Sequence, residues 1–488
     1  MSQRPPISRD LAIVGASGAG AFGTRPRLST GRAVVPVVYG ATVGAASLLL
    51  AGAPVLALAA VTTASFLLFL FLWVRRFRPQ LSYVDPGLLF QFVILLYSVF
   101  PLVAIWFYDY QFGQSGDDRL AQIALDDDII SSVWMCANLA MAGFGASYLA
   151  VRSAKMPIAP VSTNAVLPVL WISSLFSGFV LVIMYFLRGG GEYMDEYLFF
   201  ADLPRYLLQM LNINTALFQA AVFGLFICYF RTRPTLAVAI GVIVCLLFLA
   251  TTHARAAVVI VGAGMLVAGD HFRRRFSPTV LAGTAAAGLA FFLVLGLLRA
   301  GTVTIIDAAG RNEFMALFVT ALDIRQLYIT GSTLDMNANL LVSDLLRLIP
   351  QQILPFEKVD PATWYINTFY PGYAEAGGGL AFGLLAEAVL GGGGVAAFTR
   401  GLALGALVSV SFNFLSARVS LWRLIIYMWL FTNLYQSFRD TTFTLIGRFV
   451  FQFGPAVLVM VLLYQFIAPR GVRALGRPEP GVGHARSI

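Results

Sequence analysis

A chain of 488 residues that is 59% hydrophobic and only 12% charged lacks the polar surface needed to cover a soluble globule of its size. Its net charge of +9 comes from Lys and Arg clustered between apolar runs, as the positive-inside rule places them, which argues against a nucleic-acid partner. Cys136, Cys228 and Cys245 all fall in apolar segments and the three histidines are scattered, so neither a disulfide framework nor a metal cluster is offered.

Residues 1–32 are rich in Gly, Ala, Ser and Arg and read as a disordered cytoplasmic tail. Gly18, Gly20 and Gly23 have GxGxxG spacing, but a basic turn and an apolar run follow where a dinucleotide site needs a βαβ unit. Apolar runs then recur at about 33–52, 55–74, 87–108, 130–151, 166–187 and 206–230. Arg75, Arg76 and Arg78, then Arg152 and Lys155, then Arg231 and Arg233 close alternate runs and mark cytoplasmic turns. The loop with Asp117, Asp118 and Asp126 to Asp128 belongs outside. Further runs at about 235–252, 256–270 and 279–298 put His253 and Arg255 at the outer rim and release a long polar segment, 299–386, on the outer side. Runs at about 388–411, 424–438 and 449–468 return the chain to a basic cytoplasmic tail, 469–488. The fold class expected is therefore an all-α polytopic membrane domain, 33–468, with about twelve transmembrane helices and both termini cytoplasmic.

The 299–386 loop is too long for a connector. Phe314, Leu317, Phe318, Ala321 and Tyr328 follow helical spacing, as do Leu341, Leu345 and Leu348, which predicts two amphipathic helices on the outer membrane surface. The loop gathers guanidinium groups suited to a diphosphate (Arg311, Arg325), carboxylates suited to general-base work (Asp323, Glu375) and aromatic faces suited to sugar rings (Trp364, Tyr365, Tyr370, Tyr373). Charges inside spans are costly unless they face a cavity, so Glu387, Arg400, Arg439, Asp440 and Arg448 are site candidates by default. Two of them have a bland reading too: Arg439 and Asp440 as the interfacial end of a span, and Arg400 as a snorkelling or end-marking cation. Gly377 to Gly379 and Gly391 to Gly394 flank Glu387 and suggest a re-entry point.

The segments LIPQQILPFEK (348–358), WYINTFYPGYAEAGGGLAFGLLAEAVLGGGG (364–394) and FTRGLALG (398–405) resemble the Wzy-type O-antigen or oligosaccharide repeat-unit polymerases. THARAAVVIVGAG (252–264) is similar to that family's short Arg-bearing outer turn and SFRDTTF (437–443) to its late one, while Ala386 stands where the family has a glycine before its Glu. The resemblance covers about 250–460 and implies a GT-C-like bacterial inner-membrane glycosyltransferase with an outward-facing site. It implies joining of undecaprenyl-diphosphate-linked oligosaccharides into O-antigen, capsule or exopolysaccharide, beside a flippase and a chain-length regulator, without a cofactor. On that reading Arg255, Arg325 and Arg439, with Arg311 and Arg448 in reserve, meet the departing diphosphate. Glu387 or Glu375, with Asp323 as runner-up, takes the acceptor proton. Metal assistance is not expected, because the loop has no DxD pair or His cluster. An O-antigen ligase and a lipid-linked glycan transporter or flippase are the rival expectations.

Overall fold

The apolar runs read from the sequence are helical, two of them interrupted: 388–411 by the turn at 391–393 and 424–438 by a break at 434–435. The computed structural model describes residues 30–77, 82–107, 127–152, 166–187, 203–252, 255–273, 275–300, 313–333, 346, 349, 353–355, 360–372, 381–417 and 420–467. All regular structure among them is helical: α1 (Thr30–Leu49), α2 (Val55–Phe77), α3 (Pro86–Phe107), α4 (Asp127–Val151), α5 (Leu167–Leu187), α6 (Arg205–Thr232), α7 (Pro234–Thr252), α8 (Arg255–Phe272) and α9 (Pro278–Ala300). There follow α10 (Glu313–Ile329), α11 (Pro361–Phe369), α12 (Gly383–Leu390), α13 (Gly394–Ala417), α14 (Leu421–Asn433), α15 (Gln436–Arg439), α16 (Thr444–Arg448), a π-helical turn (Phe449–Phe453) and α17 (Gly454–Ile467). Seven helical stretches are long and apolar enough to cross a membrane, the last of them Thr444–Ile467 taken as one. Leu175, Phe176 and Phe179 on α5, and Ile243 and Leu246 on α7, lie exposed, as lipid-facing side chains do.

Helix α4 is the axis of one group of helices, formed with α1, α2, α3, α10, α12 and α13. Side chains bridge to it at several levels: Trp134 Nε1 donates to Thr62 Oγ1 (2.8 Å), Asn138 Nδ2 to Ser47 Oγ (2.8 Å) and Gln91 Nε2 to the Met141 carbonyl (2.9 Å). The α4 and α13 backbones touch. Gly143 faces the Phe398 carbonyl, Gly401 faces that of Ala140 and Gly405 that of Phe144, so the two helices run parallel. A second group, α5, α6, α7, α8, α14 and α17, packs around α6. The groups meet where α13 leads into α14, where α12 meets α15, and where Ser82 Oγ donates to Asp270 Oδ2 (2.5 Å).

Two elements depart from a simple row of spans. Glycines at positive φ open α12 (Gly383, +73°) and close its turn into α13 (Gly392, +123°; Gly393, +65°), so α12 runs back beside the start of α13 as a half-helix. Helix α14 starts near the Arg152 end, where Asn413 Nδ2 donates to the Val151 carbonyl (2.9 Å). Its 13 residues reach only ~20 Å into the bundle before the chain breaks around Leu434 to Phe443. Non-helical backbone at that depth is tolerated because protein encloses it. Thr432, Asn433, Gln436, Ser437, Thr441 and Thr442 in and beside the break are all buried.

The first helix expected in 299–386 is present as α10, but it is a core element and does not lie on a surface. Met315, Leu317, Phe318, Val319, Ala321, Leu322 and Ile324 are buried on every side of it, against α3, α4 and α12. Leu341, Leu345 and Leu348, expected in the second, lie outside the described residues.

Candidate functional site

Two polar clusters meet at Phe382 and Gly383, between α10, α11 and the α15–α16 break. In the first, Asp323 of α10 is 7% exposed, and its Oδ2 accepts hydrogen bonds from the Tyr365 and Tyr370 hydroxyls, the latter at 2.6 Å. Oδ1 of the same carboxylate accepts none from the described residues. Helix α11 presents both tyrosines: Asp360 caps it through the Thr363 amide (3.1 Å), Pro361 opens it and Tyr370 ends it. Tyr365 is fully buried against Tyr370, Phe369 and Phe382. Its ring offers no open face to a sugar. It serves instead as a strut for Asp323, while Tyr370 and Trp364, the latter edge-on to Phe369, are half-buried at the rim.

The second cluster is cationic. Asp440 accepts from Arg448 Nη2 (2.7 Å) and lies 3.7 Å from Arg439 Nη1, so two guanidinium groups face one carboxylate in a partly open position. The Gly383 amide donates to the Asp440 carbonyl (2.9 Å), and the Tyr365 ring lies 5.9 Å from that of Phe382. These contacts tie the clusters together. Arg325, two residues past Asp323, lies beside the Tyr328 ring, within electrostatic reach of Cys136, and its Nε is buried without a hydrogen-bond partner.

Deeper lies a buried ion pair. Glu387 and Arg400 are 1% and 3% exposed, with Arg400 Nη1 3.1 Å from Glu387 Oε2. Gly401 touches Ala140, so Arg400 sits at the level of the middle of α4 and neither snorkels nor marks a span end. Glu387, read from the sequence as a proton acceptor, is enclosed with its cation. Arg439 and Asp440 likewise lie at a break within the bundle.

At the opposite end of α4 sits a further buried network that sequence reasoning did not single out. Asp85 accepts from the Gly87 and Leu88 amides, from Tyr148 Oη and from Arg152 Nη2 (2.7 Å). The Arg152 guanidinium is packed among the rings of Phe77, Phe412, Tyr148 and Trp73. Asp270 accepts from Ser82, Arg275 and the Phe276 amide. An acidic residue before a proline is a helix-start signal, and it was available for Asp85 in the sequence.

Arg255 opens α8, with its side chain outside the described residues, as are Arg311, Tyr373 and Glu375 entirely. Among the described residues no three His, Cys, Asp or Glu side chains converge as metal ligands would. No family model, curated protein or solved structure matches the chain.

Proposed function

We propose that this chain is a multi-pass inner-membrane glycosyltransferase of about twelve spans and GT-C-like plan that joins oligosaccharide repeat units carried on undecaprenyl diphosphate. The observation that carries the reading is the meeting, at Phe382 and Gly383, of a tyrosine-held carboxylate and two arginines that converge on Asp440. A glycosyl transfer with a lipid diphosphate leaving group asks for those two things. Cations must meet charge developing on the diphosphate, and a carboxylate must accept the proton of the attacking sugar hydroxyl. Arg439 and Arg448 take the first role. Asp323 takes the second through Oδ1, since Glu387 is committed to Arg400. Tyr370 and Trp364 at the rim are the sugar contacts. The bond from the donor sugar to the diphosphate breaks, the acceptor oxygen forms the new glycosidic bond, and its proton passes to Asp323.

The test is glycan gel analysis of a strain lacking this chain, complemented with the intact protein or with Asp323→Asn at matched membrane levels. Loss of the chain is expected to leave single repeat units on the surface, and Asp323→Asn to lower polymer by about a hundredfold or more. Long chains retained on the carrier lipid would mean a ligase. The helix break and the mid-depth ion pair favour a second reading, transport of a lipid-linked glycan, since transporters build sites from broken helices. Repeat units accumulating inside the cell would establish that reading, and unchanged glycan would remove all three.

A further inference from the structure

A buried ion pair at the middle of a span is held only where geometry requires it, because charge at that depth costs several kcal/mol. Glu387 and Arg400 close a triangle with Thr442. Arg400 Nη1 donates to Glu387 Oε2 and to Thr442 Oγ1 (both 3.1 Å), and Thr442 Oγ1 donates to Glu387 Oε2 (2.8 Å). The Thr442 amide adds a third donor to the same carboxylate oxygen (3.0 Å). One turn earlier on α12, the Gly383 amide holds the Asp440 carbonyl (2.9 Å). Helix α12 therefore grips the chain break on both sides of Thr441: its Gly383 amide donates to the Asp440 carbonyl, and its Glu387 carboxylate accepts from the Thr442 amide and hydroxyl. Asp440 stands on the gripped turn, and Arg439 at the end of α15 and Arg448 at the end of α16 face its carboxylate from either side of that turn.

We infer that Glu387, Arg400 and Thr442 form a clamp that sets the direction of Asp440 and so spaces Arg439 and Arg448 to receive a diphosphate; they are positioning residues for an anion site and do not exchange protons with substrate. The inference rests on the reading of Arg439 and Arg448 as the diphosphate contacts. Without the clamp, residues 440–443 keep only the backbone bonds to their flanking short helices, and α15 and α16, which carry Arg439 and Arg448, lose the fixed spacing that makes a fork selective.

The experiment is binding of inorganic pyrophosphate and, in a separate arm, of a short-chain polyprenyl diphosphate to the intact protein in lipid nanodiscs, with thermal unfolding followed in parallel. Thr442→Val keeps the shape and the backbone amide but removes the hydroxyl, and it is expected to weaken binding about tenfold, the effect of losing one hydrogen bond to a charged group. Thr442→Ser is expected to restore binding, and Arg448→Ala to weaken it at least as much as Thr442→Val. Binding of the lipid form alone would assign the site to a membrane-held diphosphate, and equal binding of both to the phosphates themselves; the clamp holds in either case if the Thr442 variants behave as stated. If the intact protein binds and Arg448→Ala weakens it while Thr442→Val does not, the clamp is overturned and the diphosphate reading stands. If the intact protein binds neither probe, both fall.

Discussion

Arg152→Ala is expected to destabilise the folded protein by about 3–5 kcal/mol, read in a mixed-micelle unfolding titration, because it strands a buried carboxylate. Asp85 is almost fully enclosed and receives one charged donor, Arg152 at 2.7 Å. The Tyr148 hydroxyl and the amides of Gly87 and Leu88 remain after the substitution, but neutral donors do not cancel a charge. The guanidinium also lies 4.5 Å from the Phe77 ring centre and 4.7 Å from that of Phe412, so truncation opens a gap between α2 and α13. The double substitution Asp85→Ala with Arg152→Ala is expected to cost less than the two single changes added together, since each single change already ends the pair. Additive losses, or an Arg152→Ala protein within about 0.5 kcal/mol of the parent, would show that the pair does not hold this end of the bundle together.

The sequence carried the helix positions well because an apolar run of spanning length has no competing interpretation in a chain this poor in charge. Charge bias also read Arg152 correctly as following a span, but only as a topology mark, since its partner Asp85 is 67 residues away by number and pairing at that distance has no period. The same limit applies to Glu387 and Arg400. Glycine runs beside Glu387 suggest a re-entry point; Gly377 to Gly379 lie outside the described residues, while Gly392 and Gly393, at positive φ, turn the chain from α12 into α13.

Helix α10 differs from the surface helix its spacing predicts because apolar residues lie on all its sides and not in a stripe: Met315, Val319, Leu322 and Ile324 are buried as well as Leu317 and Phe318. Tyr365 was assigned to sugar by residue type alone, and a tyrosine whose ring is buried while its hydroxyl meets a carboxylate looks identical in sequence to an exposed platform. The density of Thr, Asn, Gln and Ser between Thr432 and Thr442 was the unused signal. Four buried polar side chains within the run 424–438, with Thr441 and Thr442 just past it, argue for a broken helix, whose freed backbone groups need such partners.

Gly401→Ala is expected to rank with Gly143→Ala among the costliest single-methyl additions in the described helices of the first group, at or above the ~3 kcal/mol upper range for overpacking. A β-carbon there would stand 2.2 Å from the Ala140 carbonyl oxygen, and the atom in the way is backbone, which cannot rotate aside. The neighbouring contacts leave no room for a rigid shift: Gly143 on the facing helix is as close to the Phe398 carbonyl, and Gly405 stands 2.4 Å from that of Phe144. Parallel helices that touch backbone to backbone over two turns can accept the methyl only by separating, and separation moves Arg400, the preceding residue, away from Glu387 and Thr442. Gly283→Ala on α9 is the matched control, with nothing within 4 Å of the added carbon, and it is expected to change stability by less than about 0.5 kcal/mol. Unfolding titrations on both proteins decide the matter. A Gly401→Ala protein as stable as the Gly283→Ala one would mean that α4 and α13 are not held in backbone contact. A destabilised Gly401→Ala protein that also loses diphosphate binding would tie that contact to the clamp it supports.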